Sequence, residues 1–215
     1  MKKKLNVENI IFDFGGVILN IDYQLTIDAF KEIGMDNFEK SYSQATQIHL
    51  FDNLEIGNIS PDEFRNGIRK VSQKDLNDEK IDYAWNKIIL DLPEKRIRLL
   101  TALKNKYNIF LLSNTNRIHY DLYIKQLQKF GYNNFDDIFK KAYFSFEIGL
   151  RKPDLEIFEY IINKENLNPD KTVFIDDSIQ HIEAAVQLGI QTYHLGKNED
   201  ILNLFDEKLE LILEI

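Results

Sequence analysis

A chain of 215 residues, of which 44% are hydrophobic and 29% charged, can bury a substantial core as one domain or as one domain that carries a smaller insert. Its formal net charge of −8 argues against broad nucleic-acid binding, which depends on clustered Lys and Arg, and its apolar runs are much shorter than the roughly 20 residues of a membrane span. Because the chain has no cysteine, disulfides and thiolate metal sites are excluded.

The chain opens on a basic stretch, residues 1–4, that we expect to be a solvated tail. The stretch runs directly into a strand without the apolar and small-residue regions of a signal peptide, so we expect no export. Together with the lack of cysteine, this favours a cytoplasmic protein. We expect neither nucleic acid nor a membrane as a partner, and the sequence leaves the oligomeric state open.

The first predicted strand, residues 9–13, is apolar from Ile10 to Phe12 and ends in the carboxylate of Asp13. Gly15 and Gly16 follow closely, so the backbone can turn sharply at this point. A lone carboxylate at a strand end more commonly caps a nearby turn. However, a charged side chain at the mouth of a buried strand is also well placed to meet a ligand, which makes Asp13 a candidate site residue.

The interval from about residue 21 to 93 has helical patterns and no convincing strand. One helix is predicted to open at residues 60–63, where Ser-Pro-Asp-Glu supplies an N-cap, a first-turn proline and the acid of a capping box. We interpret the interval as an insert. The predicted domains are a core of residues 1–20 and 96–215 and a helical cap of residues 21–95.

Beyond a helix predicted from residue 94 to about 106, strands and helices alternate. The further strands are predicted at residues 107–113, 142–146, 172–176 and 191–195. One intervening helix, residues 154–164, has Pro153 where a first helical position tolerates proline, and another, residues 178–188, has Ser178 as its N-cap and Gly189 as its stop. This alternation predicts an α/β fold with a doubly wound parallel sheet.

Three of the predicted strands end in polar residues. These residues are Asp13, Ser113 with Asn114, and Asp176 with Asp177. Since the carboxyl ends of parallel strands share one edge of the sheet, where ligands bind, we expect these side chains to converge. Three crowded carboxylates need a cation, and their hard oxygen atoms suit Mg²⁺, which also favours a phosphorylated ligand. Lys152 adds positive charge close to the start of a helix.

The same residues lie in four motifs of one protein family. Asp13 within FDFGGV, Ser113-Asn114 within FLLSNTN, Lys152 within GLRKPD and Asp176-Asp177 within FIDDS have the order and spacing of the haloacid dehalogenase-like (HAD) hydrolases, which the chain resembles over nearly its whole length. The segments SNTNR, GLRKP and FIDDS resemble more narrowly the branch that contains the α-D-glucose-1-phosphate phosphatases. The resemblance implies a HAD-like Rossmannoid core, with the insert as a mobile cap.

The resemblance also implies a phosphatase that works through an aspartyl phosphate on Asp13. The implied Mg²⁺ ligands are Asp13, the carbonyl of Gly15, Asp177 and, directly or through water, Asp176. The implied phosphate-binding groups are Ser113, the Asn114 amide and Lys152, whose charge also supports catalysis. The implied substrate is a small phosphorylated metabolite, and among sugar phosphates glucose-1-phosphate is the leading candidate.

Gly15 departs from the pattern of most phosphatases in the family, which have there a second aspartate that protonates the leaving oxygen and later activates water. General acid–base catalysis typically contributes about 10²–10⁴-fold. Either the leaving group needs little protonation, as with the anomeric oxygen of a sugar-1-phosphate, or another acid reaches it, such as Asp22 or a residue of the insert. The glucose-1-phosphate phosphatase branch also has glycine at this position.

Other functions stay open, among them a phosphotransferase or mutase, a dehalogenase and a noncatalytic binding protein. A dehalogenase would use the same nucleophile on carbon, but Asp176-Asp177 argue against it, because a metal is superfluous for halide displacement. A noncatalytic phosphometabolite-binding protein would keep the fold and the metal without turnover.

We assign no chemistry to the four histidines, expect His181 at the surface, and expect Arg151 to point to solvent or to pair with an acid.

Overall fold

The computed structural model describes residues 6–35 and 49–212, so the basic tail at residues 1–4 lies outside the described part. Five parallel strands form one sheet in the order β3-β2-β1-β4-β5. The strands are β1 Asn9–Phe12, β2 Asn108–Ser113, β3 Lys141–Phe144, β4 Thr172–Asp176 and β5 Gln191–His194. The central strand β1 has Asn9 in register with Asn108 of β2 and with Thr172 of β4. The predicted doubly wound α/β fold is confirmed.

Helices connect these strands and cover both faces of the sheet. They are α1 Tyr23–Glu32, α2 Leu50–Glu55, α3 Pro61–Ser72, α4 Asp78–Asn86, α5 Glu94–Leu103, α6 Arg117–Gln128, α7 Ser145–Ile148, α8 Leu155–Glu165 and α9 Ile179–Gln187. Short 3₁₀ turns lie at Phe135–Asp137, Pro169–Lys171 and Ile201–Leu204. Within residues 6–35 and 49–212, no helix has the length and apolar character needed to cross a bilayer.

Alternation along the strands explains why the sheet is buried on both faces. Ile10 and Phe12 belong to one apolar cluster, which α5 completes through Leu100, whereas Ile11 belongs to a second cluster, which α8 completes through Phe158. Because helices cover both faces, every residue of β1 is buried and Ile10, Ile11 and Phe12 form a continuous apolar run. The polar residues that end the strands are thereby left at the carboxyl edge.

The helices between β1 and α5 have an apolar cluster that is separate from both sheet clusters. Phe30 of α1, Phe64 of α3 and Ile81 of α4 are each at most 1% exposed, and Ile118 of α6 joins them. A separate core is what an inserted domain requires. The division into a core of residues 1–20 and 96–215 and a cap of residues 21–95 stays a prediction.

Two helix boundaries follow their sequence signals. At the start of α3, the Ser60 hydroxyl accepts from the Glu63 N–H at 3.2 Å, and the Glu63 carboxylate accepts from the Ser60 N–H at 2.7 Å, which completes the predicted capping box. Ser178 takes the N-cap position of α9. Beyond the end of α9, Gly189 has φ +75°, a conformation that favours glycine and stops the helix.

Two other predicted boundaries are wrong by a few residues. The strand predicted over residues 142–146 ends at Phe144, because Ser145 begins α7 and its hydroxyl bonds both the N–H and the carbonyl of Thr115, at 2.9 and 3.0 Å. The helix predicted with Pro153 in its first position begins at Leu155. The Asp154 N–H donates to the Arg151 carbonyl at 3.1 Å, so the chain turns once before the helix begins.

If the cap has its own core, Phe64→Ala and Phe158→Ala will loosen different parts of the molecule. Removing a buried phenylalanine ring typically costs about 3–5 kcal/mol of stability. We expect Phe64→Ala to raise amide hydrogen exchange in α1, α3 and α4 and to leave β1, β2 and β4 protected. Phe158→Ala, the matched control, should do the reverse. Exchange that rises equally in the sheet and the cap of Phe64→Ala would contradict the proposed division.

Candidate active site

A buried ammonium joins the ends of β1 and β4. Lys152 Nζ donates to Asp13 Oδ1 at 2.6 Å and to Asp176 Oδ2 at 2.7 Å, and the Lys152 side chain is 0% exposed. Oxygen atoms of Asp13, Asp176 and Asp177 all lie within 4.8 Å of one another. The structure therefore brings the three predicted carboxylates and the predicted lysine together.

Asn114, just after β2, holds the backbone that carries the lysine. Its side-chain Oδ1 accepts from the Lys152 N–H at 2.9 Å, and its Nδ2 donates to the Lys152 carbonyl at 2.8 Å. Because the side chain is engaged in this way, a phosphate contact by Asn114 would have to come from its backbone N–H. Ser113 is 2% exposed and lines the same cavity as Asp13 and Asn114.

Asp176 has two further donors, and one of them corrects an expectation. The Ser178 N–H donates to Asp176 Oδ1 at 2.8 Å, and His181 Nδ1 lies 2.9 Å from the same oxygen. The side chain of His181 is 18% exposed, so its expected surface position is wrong. In the first turn of α9, the position five residues after Asp176 faces back toward the strand end, a spacing that could have indicated this contact.

The two carboxylates that share Lys152 titrate differently because their surroundings differ. Burial raises the pKa of Asp13 to about 7, aided by the charges of Asp176 and Asp177 and opposed by Lys152. Burial also acts on Asp176, but Lys152 and His181 outweigh it and lower the pKa to about 2. Burial and the Asp176 charge raise the pKa of Asp177. Asp13 therefore lacks the full set of positive partners that ionisation needs.

This imbalance fits a divalent cation. The cluster has three carboxylates and one close ammonium, and hard carboxylate oxygens are the ligands that Mg²⁺ prefers. Gly16 keeps the loop after β1 close to these groups: it has φ +80°, and a Cβ there would lie 2.2 Å from Asp177 Oδ2. The residues at the site therefore fit the metal expected from the sequence.

A cavity of about 930 Å³ extends from this cluster to the helical insert. Phe51, Glu55 and Trp85 line it from the insert. Arg151, which also lines the cavity, forms ion pairs with Asp52 and with Glu55 Oε2, the latter at 3.0 Å. The expected pairing of Arg151 with an acid is confirmed, and it joins α2 to the loop that carries Lys152.

The space beside Gly15 is apolar. A Cβ built on Gly15 would lie 3.4 Å from Ile21 Cδ1, so a side chain there would contact Ile21. The Asp22 carboxylate accepts from the Gln24 N–H at 2.9 Å and caps α1. Asp22 is outside the cavity lining described here, so the structure does not bring it to the candidate nucleophile.

His119 lines the cavity in its neutral form. Its Nε2 lies 3.0 Å from the Trp85 carbonyl, which can only accept, so Nε2 carries the proton and Nδ1 accepts from Asn116 Nδ2 at 3.1 Å. Burial lowers the pKa of His119 to about 4. Near neutral pH the His119 ring is therefore uncharged, and its Nδ1 has no proton to donate.

Comparison with known proteins gives consistent results. The chain matches the family model described as haloacid dehalogenase-like hydrolase over residues 7–189. The D-ribitol-5-phosphate phosphatase of Bacteroides thetaiotaomicron is 30% identical over 194 residues, which cover 90% of this chain and 94% of that protein. The crystal structure of a HAD family enzyme from the same organism, in complex with magnesium and inorganic phosphate, has a TM-score of 0.84 and 39% identity, and the match covers 93% of this chain and 100% of that one. A HAD-like family hydrolase from Porphyromonas gingivalis has a TM-score of 0.83 and 30% identity, over 92% of this chain and 95% of its own.

The close approach of Gly16 to Asp177 gives a test of the metal site. In Gly16→Ala the new Cβ would displace the Asp177 carboxylate, so we expect Mg²⁺ affinity to fall about 10–100-fold, as it does when the support of a metal ligand is lost. Isothermal titration calorimetry with Mg²⁺ measures the change. Gly34→Ala is the matched control, because Gly34 has φ +96° with nothing within 4 Å of its added Cβ. Unchanged Mg²⁺ affinity in a folded Gly16→Ala would contradict this site.

Proposed function

The chain belongs to the haloacid dehalogenase-like hydrolases, and we propose that it removes phosphate from a small sugar or polyol monophosphate, with Asp13 as its nucleophile. The expected enzyme class, a HAD phosphatase that uses Mg²⁺, is confirmed by the family match and by the phosphatase and magnesium-bound relatives. The observation that carries the proposal is the position of Asp13, a strand-end carboxylate bound to a buried ammonium in a cavity large enough for such a substrate.

Asp13 would act by attacking phosphorus. Its ionised carboxylate forms a bond to phosphorus as the bond to the leaving oxygen breaks, which gives an aspartyl phosphate and an alkoxide that takes a proton from solvent to become the free alcohol. Water then attacks the same phosphorus, releases inorganic phosphate and regenerates the carboxylate. The Lys152 hydrogen bond at 2.6 Å helps to keep Asp13 ionised despite its burial, which raises its pKa to about 7.

Lys152 would also offset the charge that develops on the phosphoryl oxygens. Its ammonium is held in place by Asp13 and Asp176, and its backbone is held by Asn114. The Ser113 hydroxyl and the Asn114 N–H, both at the end of β2, are the proposed neutral donors to those oxygens. Because these groups are buried or paired before substrate arrives, little reorganisation accompanies the reaction.

The proposed Mg²⁺ ligands are the carboxylates of Asp13 and Asp177 and the carbonyl of Gly15, with Asp176 in support. When bound, the ion supplies positive charge that stabilises the transferring phosphoryl group. The same carboxylates argue against a dehalogenase, since displacement of halide from carbon has no use for a metal at this position. Dependence of turnover on added Mg²⁺ distinguishes the two reactions.

The leaving group decides which phosphate ester is the best substrate. With Gly15 beside Ile21, the usual acid position has no proton donor, which favours an ester whose oxygen leaves without much protonation, such as glucose-1-phosphate. The B. thetaiotaomicron relative is instead named for D-ribitol-5-phosphate, the ester of a primary alcohol. Both belong to the proposed class of small sugar and polyol monophosphates, and the assay below includes both.

The test is Mg²⁺-dependent phosphate release from a panel that includes ribitol-5-phosphate, glucose-1-phosphate and other metabolite phosphates. We expect turnover by the wild type that is lost on chelation of Mg²⁺ and that falls by more than about 10⁴-fold in Asp13→Asn, as expected for loss of a nucleophile. Asp22→Asn is the matched control and should keep its turnover, because its carboxylate caps α1.

Each other outcome has a distinct meaning. Turnover that survives in Asp13→Asn would contradict Asp13 as the nucleophile. Binding of a phosphate analogue with no release of phosphate from any ester would favour the noncatalytic binding protein. Release of halide from a haloacid without Mg²⁺ would favour the dehalogenase.

A further inference from the structure

Three polar atoms in the lining of the cavity have no hydrogen-bond partner within the described residues. They are Glu55 Oε2, Trp85 Nε1 and Arg151 Nε, and all three are covered from solvent. A buried polar atom without a partner typically costs about 1–3 kcal/mol. Three such atoms around one cavity are hydrogen-bonding groups that a bound ligand would satisfy.

Glu55 is held in place by charge rather than by a complete set of hydrogen bonds. Its Oε2 lies 3.0 Å from Arg151 Nη2, and Arg151 also pairs with Asp52 one turn earlier in α2. Burial raises the pKa of Glu55, and the Arg151 charge opposes that rise. Arg151 therefore fixes the carboxylate at the cavity wall while its Oε2 keeps an unused capacity to accept hydrogen bonds.

Trp85 contributes a donor on a rigid ring. Its ring stacks at 5.2 Å on Phe51 and at 4.9 Å on His119, each at an interplanar angle of 19°. These stacking contacts restrict the ring, so the direction of the Nε1–H bond is set by packing. Indole nitrogen is only a donor, so an occupant of the cavity must offer it an acceptor.

The combination of atoms identifies the chemistry of the missing partner. Glu55 Oε2 accepts, whereas Trp85 Nε1 and Arg151 Nε donate, and a hydroxyl group can serve both kinds of atom. A second anionic group on the ligand that approached this wall would be repelled by the carboxylates of Asp52 and Glu55, with which Arg151 is already paired. A neutral chain with several hydroxyl groups fits this wall better than an apolar chain or a second phosphate.

We propose that Glu55 and Trp85 bind hydroxyl groups on the carbon chain of the substrate, and that Arg151 positions Glu55 for this contact. This proposal rests on the phosphatase activity proposed above and names the residues that select its substrate. Arg151 is the neighbour of Lys152, so the residue that positions Glu55 and the residue that supplies the phosphate-binding ammonium are consecutive in the chain.

Two conservative variants test the proposal. Trp85→Phe keeps an aromatic ring and removes the N–H donor, and Glu55→Gln keeps the shape and removes the charge. We expect each to raise KM for ribitol-5-phosphate about tenfold, the effect of losing one hydrogen bond, and to leave KM for pentyl phosphate unchanged. Pentyl phosphate has the same number of carbon atoms without the hydroxyl groups. Asn53→Ala is the control, because Asn53 is on α2 but outside the cavity lining.

The outcomes separate this proposal from the proposed function. Suppose that the wild type hydrolyses ribitol-5-phosphate and that the variants have its KM values for both ribitol-5-phosphate and pentyl phosphate. This result would overturn the hydroxyl contacts and leave the proposed phosphatase activity standing. Equal losses on both esters would assign these residues a structural role and overturn the proposal. p-Nitrophenyl phosphate separates a further case, because its leaving group needs no acid. If Glu55→Gln lost activity on ribitol-5-phosphate and pentyl phosphate but kept it on p-nitrophenyl phosphate, Glu55 would be a proton donor instead. A wild type with no turnover on any ester would overturn both proposals.

Discussion

The ammonium of Lys152 lies between two carboxylates at the ends of two adjacent strands, and the rest of the site depends on this contact. An unpaired charge in so buried a position would cost several kcal/mol, so Lys152 depends on Asp13 and Asp176 to stay charged. The Phe174 ring lies 5.3 Å from the same ammonium. The charge is therefore fixed in place before any ligand binds, as catalysis by electrostatic preorganisation requires.

The unequal surroundings of the two carboxylates assign them different tasks. Asp176 has hydrogen bonds from Lys152, Ser178 and His181, which keep it ionised as a fixed support. Asp13 has one such donor and an open side toward the cavity, so its carboxylate is the one left to react. A cation beside Asp13 and Asp177 would complete the balance of charge. The proposed nucleophile and the proposed metal site are thus consequences of one arrangement.

Sequence patterns predicted the parts of the molecule that depend on local rules. The apolar strands that end in Asp13 and Asp176 can be recognised in the sequence, because a parallel sheet is buried on both faces and leaves polar residues at one edge. The spacing between Asp176 and His181 could have indicated the inward position of His181. The contacts of Glu55 and Trp85, in contrast, depend on how the helices of the insert pack, and no local pattern encodes that packing. Pro153 shows the same limit: its preference for a first helical turn was overridden by the turn that begins at Arg151.

The central claim is that Asp13 becomes phosphorylated, and the most direct measurement is mass spectrometry of the protein quenched in acid during turnover. With Mg²⁺ and a substrate from the proposed class, we predict that the mass of one phosphoryl group appears on the peptide that contains Asp13 and disappears when the substrate is exhausted. Asp13→Asn should show no such mass. Phosphate release by an enzyme whose Asp13 peptide never gains this mass, or a phosphoryl group found on another residue, would contradict the account.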